Sequence, residues 1–160
     1  MTVRLLGGGL LVLAGLLLGL RALGEKKAAA GRLRDLSSAL GRLRTELLET
    51  RAPLPEVFGR LGEEPFFAFL SARFGTERTE TLWREAASSQ PIPEEARAAL
   101  ASLAAVIGKC EAARQAEEIE RVRAQLSQQC AALERDIAAR AKQYPGLGAA
   151  AGAILAVMLF

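Results

Sequence analysis

Histidine is absent from this chain. With it go the usual general base at neutral pH, the commonest zinc ligand and every Ser-His or Cys-His catalytic pairing. Cysteine occurs twice, as Cys110 and Cys130. If both lie on one helix, a rise of about 30 Å separates them, too far to bridge or to share a metal. No disulfide framework is expected, which fits a reducing compartment for the middle of the chain. Charge of one sign is also lacking, since 21 basic and 18 acidic residues leave a net +3 with the signs interspersed. Nucleic-acid binding therefore gains no support.

Hydrophobic residues make up 51% of the sequence, and they concentrate at the two ends. Leu5 to Leu20 is uncharged, rich in leucine and flanked by Arg4 and Arg21. As a helix it spans about 24 Å, and snorkelling arginines with Val3, Ala22 and Leu23 extend its reach across a bilayer. A cleaved secretory signal is the rival reading, with Ala28-Ala29-Ala30 as small residues for cleavage. The other end favours an anchor. From Tyr144 to Phe160 there is no charge, and Leu147, Ile154, Leu155, Val157, Met158 and Leu159 point to every side of a helix. Such a segment belongs in lipid or in a deep core. Gly15 to Gly19 and Gly148 to Gly152 have the small-residue spacing that lets helices approach closely in lipid.

These features predict an all-α protein with transmembrane helices over 1–23 and 144–160 and a helical bundle over 24–143. Arg21, Lys26, Lys27, Arg32 and Arg34 follow the first run, and Arg135, Arg140 and Lys142 precede the second. By the positive-inside rule the bundle faces the cytoplasm.

Within the bundle, Leu33, Leu36, Leu40, Leu43 and Leu47 form an amphipathic stripe that should end near Arg51-Ala52, because Pro53 disfavours helix before it. Leu54, Val57, Phe58 and Leu61 give the next helix a buried side, and Phe66, Phe67, Phe69, Leu70 and Phe74 read as core. Leu82, Trp83 and Ala86 follow, with Trp83 expected between helices. After Pro91-Ile92-Pro93, a helix opening on Pro93-Glu94-Glu95 turns Leu100, Leu103 and Ile107 inward. Ile119, Val122, Leu126, Cys130, Leu133, Ile137, Ala141 and Tyr144 then repeat with an eleven-residue period, as in a straight helix laid along a bundle.

No catalytic, cofactor or metal site is expected. Gly108-Lys109 lacks the glycine and the hydroxyl of a phosphate loop, and the tail glycines miss the dinucleotide fingerprint. Glu117, Glu118 and Glu120 beside Arg114, Arg121 and Arg123 read as a solvated, ion-paired face.

Several places in the chain carry a resemblance through their order and spacing. Glu46 precedes Ala52-Pro53-Leu54-Pro55-Glu56-Val57, which is similar to a Thr-Pro-Leu-Pro-Glu-Ala turn. Leu82-Trp83-Arg84-Glu85-Ala86 resembles Ala-Trp-x-x-Ala, and Ile107-Gly108 with Glu111 and Gln115 resembles Leu-Gly-x-x-Asp-x-x-x-Gln. Lys142, Tyr144, Leu147 and Gly148 match a Lys-x-Tyr-x-x-Leu-Gly junction. In this order they resemble the stage III sporulation protein AB family of endospore-forming bacteria. Glu111 for aspartate and Ile107 for leucine are the departures.

The resemblance implies a cytoplasmic domain similar to those of type II secretion F platform proteins, in the mother-cell membrane around the forespore. It implies a scaffold within a channel-like complex, with other channel membrane subunits and an ATPase of the stage III sporulation protein AA type as partners, and a possible oligomer. The motif residues, Glu46, Pro53, Leu54, Glu56, Trp83, Gly108, Glu111, Gln115, Tyr144 and Gly148, would then serve structure or partner binding. The alternative is a membrane sensor whose bundle lies outside the cytoplasm and binds a small ligand.

Overall fold

The structure, a computed structural model, describes the backbone of residues 2–50 and 52–159 and the side chains of residues 21–50 and 52–140. Among the described residues it is all-helical: α1 (Thr2–Glu49), α2 (Leu54–Arg60), α3 (Pro65–Arg73), α4 (Thr79–Ser88), α5 (Glu94–Ser102), a 3-10 turn (Leu103–Ala105) and α6 (Ala112–Leu159). Neither α1 nor α6 breaks where the sequence suggested boundaries. Helix α1 passes residue 23 without interruption, and α6 continues through Pro145 and Gly146.

Two compact units divide the chain, one of Met1–Ala28 with Ala132–Phe160 and one of Ala29–Ala131. In the first, Lys26 pairs with Asp136, which Arg140 also contacts at 3.0 Å. The apolar runs Leu5 to Leu20 and Tyr144 to Phe160, on which the expected spans rest, lie outside the residues whose side chains are described. Among the described residues no helix is long and apolar enough to cross a membrane.

The second unit is the bundle. Leu33, Leu36, Leu40, Leu43 and Leu47 are all buried, as their three-four spacing requires. Each such leucine contributes about 1.5–3 kcal/mol of burial. They face α6, whose Ile119, Val122, Leu126 and Cys130 are buried in turn. The two helices run antiparallel. Cys130 Sγ donates to the Ala30 carbonyl at 3.4 Å, the Ser37 and Ser127 hydroxyls meet at 3.0 Å, and Arg123 packs over Gly41. Leu133 and Ile137, next on the stripe, are only half-buried.

Helices α2 to α5 close the other side around a fully buried aromatic group. Phe66 meets Trp83 edge-on at 4.9 Å and Phe67 at 5.2 Å, and Phe58 lies 6.1 Å from Trp83. The Trp83 indole N–H donates to the Leu100 carbonyl at 2.8 Å, which satisfies its one polar atom inside the core. Phe69 instead lies at the rim, where the Arg73 guanidinium stands 5.1 Å from its ring.

Arg32, which the sequence reading named only among the basic residues after the first apolar run, is drawn into the bundle. Its guanidinium is mostly covered, pairs with the buried Glu64 at 2.8 Å and donates to Gln90 Oε1 at 2.5 Å. Glu64 sits immediately before α3 and Gln90 just past α4, so one guanidinium ties both ends to α1. Cys110 also departs from expectation, because α6 begins only at Ala112 and Cys110 lies in the preceding loop.

Candidate functional site

The corner between α1 and α2 gathers the first group of motif residues. The end of α1 is closed locally: Thr50 donates its N–H and its hydroxyl to the Glu46 carbonyl, at 3.0 and 2.7 Å. Pro53, at φ −63° and ψ 145°, turns the chain and starts α2, with Pro55 in the first turn where its missing N–H costs nothing. Glu56 occupies that turn as well, near the positive end of the helix dipole. The Arg60 guanidinium then bridges back, donating to Glu56 at 2.6 Å and to Glu46 at 3.0 Å. Those hydrogen bonds, Glu56 first and Glu46 second, raise its pKa above the ordinary arginine value. Glu46 and Glu56 are thus brought together by a residue that motif matching did not single out.

A second group forms against the same helix. Gly108 has φ +76°, a conformation side chains resist, and its N–H donates to Gln115 Oε1 at 3.1 Å. Gln115 is buried, and its amide N–H donates in turn to the Cys110 carbonyl at 2.5 Å. One side chain therefore pins the loop that leads into α6. Leu54 of α2 lies directly over Gly108, so that a methyl group there would come within 2.9 Å of Leu54 Cδ1. Gly108 thus meets Leu54, distant in sequence, and Gln115, seven residues on.

The remaining motif residues do not join these groups. Trp83 belongs to the aromatic core, and Glu111 is exposed, its carbonyl accepting the Gln115 N–H at 3.0 Å. Tyr144 and Gly148 lie outside the residues whose side chains are described.

Beside the α2 corner an open groove of about 620 Å³ runs along α1 and α6. Arg42, Arg44, Arg60 and Arg123 line it together with Glu46 and Glu120. Arg123 holds Glu120 through contacts down to 2.8 Å and, as the largest influence, keeps its carboxyl below the ordinary range. Of these arginines the sequence reading placed only Arg123 on a solvated face, because no single helix shows that α1, α2 and α6 bring all four to one place. Two of the three acids named there form ion pairs within α6, Glu118 with Arg121 at 2.7 Å and Glu120 with Arg123 at 2.8 Å.

Nothing in this arrangement poises a nucleophile against a base. Among the described residues no group of three histidine, cysteine, aspartate or glutamate side chains is placed to hold a metal. What the site offers is a charged, rigidly braced surface.

In comparison with known proteins, a family model described as stage III sporulation protein AB matches residues 4–160. No curated protein and no solved structure matches the chain.

Proposed function

The chain belongs to the stage III sporulation protein AB family, and from that premise we propose that it is a non-enzymatic membrane platform subunit of the channel complex between mother cell and forespore. In this reading residues 1–23 and 144–160 are transmembrane helices, and residues 24–143 form a cytoplasmic bundle similar to the type II secretion F domain. The bundle receives an ATPase of the stage III sporulation protein AA type, while small-residue faces of the spans meet other membrane subunits. Neither a cofactor nor a small-molecule substrate is needed.

The observation that carries the reading is the family match across nearly the whole chain. Two further features support it. Leu5 to Leu20 and Tyr144 to Phe160 carry no charged side chain, and apart from Arg4 the basic residues lie on the bundle side. The helical bundle offers braced charged surfaces rather than a catalytic constellation.

Deleting residues 33–142 should abolish recruitment of the ATPase to membranes of sporulating cells. If the ATPase still sediments with membranes carrying the deleted form, the docking role is wrong.

A further inference from the structure

Two of the four arginines in the groove are already engaged, Arg60 by Glu46 and Glu56 and Arg123 by Glu120. The other two are not comparably held. Arg42 is exposed and comes no nearer than 3.8 Å to Glu63. Arg44 Nε is buried, lies 3.8 Å from Glu120 Oε2 and makes no hydrogen bond. The rest of the Arg44 side chain is exposed, so its guanidinium is open to a carboxylate from a partner.

Arg44 and Glu120 also line a second concavity, of about 490 Å³, whose floor is Leu48, Ala113, Ala116 and Ala124 and whose edge carries Glu117 and Arg121. Leu48 is 43% exposed, an uncovered large apolar side chain beside a bed of alanines. Cationic and apolar hollows thus share one ridge within the same unit.

We propose that this double groove is the docking site for an acidic amphipathic helix of a partner protein. Its carboxylates engage Arg42 and Arg44, and its apolar face covers Leu48 and the alanines. Free phosphate or a phospholipid headgroup would use only the cationic half, where Glu46 and Glu120 oppose a multiply charged anion. A helix carrying separate single carboxylates and leucines satisfies both halves. The proposal rests on the reading of the bundle as the domain that receives partners, and it names the surface used.

The test uses the full chain in amphipol and a fluorescein-labelled peptide with leucines at i, i+3, i+4 and i+7 and glutamates between them. A scrambled peptide of the same composition, inorganic phosphate and phosphatidylglycerol vesicles serve as comparisons. The helical peptide should bind in a salt-sensitive manner, and Arg42→Ala and Leu48→Ala should each weaken it about 5- to 10-fold. Arg84→Ala, on α4 and outside the groove, should change nothing.

Absence of binding, equal binding of the scrambled peptide, or undiminished binding in both variants overturns the proposal. So does displacement of the peptide by phosphate or by vesicles, which would assign the groove to an anion or a lipid. The measurement requires no sporulating cell, so its failure leaves the platform reading intact. Persistence of ATPase recruitment after the 33–142 deletion removes that reading even if the peptide binds.

Discussion

Leu54 Cδ1 occupies the space into which any side chain at Gly108 would have to grow, with only 2.9 Å left for a methyl group. The contact locks α2 to the loop before α6, and Gln115 holds that loop from the other side through the Gly108 N–H.

Gly108→Ala should accordingly destabilise the chain by about 1–2 kcal/mol, mostly from the unfavourable backbone conformation, with a small addition as the end of the half-buried Leu54 side chain shifts aside. Gly75 has a similar φ of +89° but open space around it, so Gly75→Ala should cost only about 1 kcal/mol. Adding Leu54→Ala to Gly108→Ala should cost less than the two changes apart. Denaturant unfolding of the four variants checks the ordering.

The covered ion pair between Arg32 and Glu64 predicts an asymmetry. Glu64→Ala alone should cost about 2–4 kcal/mol, because it strands a guanidinium that retains only Gln90. Replacing both partners, Arg32→Met with Glu64→Leu, should recover most of that loss. Thermal unfolding of the single and double variants distinguishes this from an ordinary surface pair.

Acid should weaken the fold by a route that can be assigned. Glu80 is held below its ordinary pKa of 4.5 chiefly by Lys109, Glu120 below 4.5 by Arg123, and Asp136 below 3.8 by Lys26. Since each folded-state value is depressed, each carboxylate stabilises the fold above its unfolded pKa and ceases to do so as the pH falls through the folded one. The unfolding midpoint should be flat on the neutral side and decline on the acid side of these ordinary values. Glu80→Gln with Glu120→Gln should shrink the decline, which a pH series of melting curves measures.

Much of the bundle is legible in the sequence because burial imposes periodicity. The leucine stripe from Leu33 to Leu47 and the run from Ile119 to Cys130 are buried where the spacing places them. Pro53 is equally readable, since α1 stops at Glu49 shortly before it, whereas Pro145 does not interrupt α6. The groove is not legible, since Arg42, Arg44, Arg60 and Arg123 are brought together only by the packing of α1, α2 and α6. Arg32 misleads for a related reason. It counts in the sequence only as one of the charges after the first apolar run, yet its long side chain reaches Glu64 and Gln90 across the bundle. Motif order found Leu54, Gly108 and Gln115 but gave no sign that they touch.

If the chain's ends are spanning helices, a cation in either should be costly. Leu13→Lys and Ile154→Lys should each impair insertion by about 2.5–3.5 kcal/mol on translocon scales, less where a neighbouring helix hides the charge. Membrane retention of each variant after alkaline extraction reads the effect, and unchanged retention of both would argue against spanning helices.

The placement of the bundle can be read from the two native cysteines. Cys130 is buried, whereas Cys110 is partly exposed in the loop before α6. A membrane-impermeant maleimide applied to oriented vesicles should label Cys110 when the cytoplasmic face is outward and leave it unlabelled when that face is sealed inside. Labelling in the opposite orientation, or recovery of the chain outside the vesicles altogether, would contradict a membrane platform with a cytoplasmic bundle.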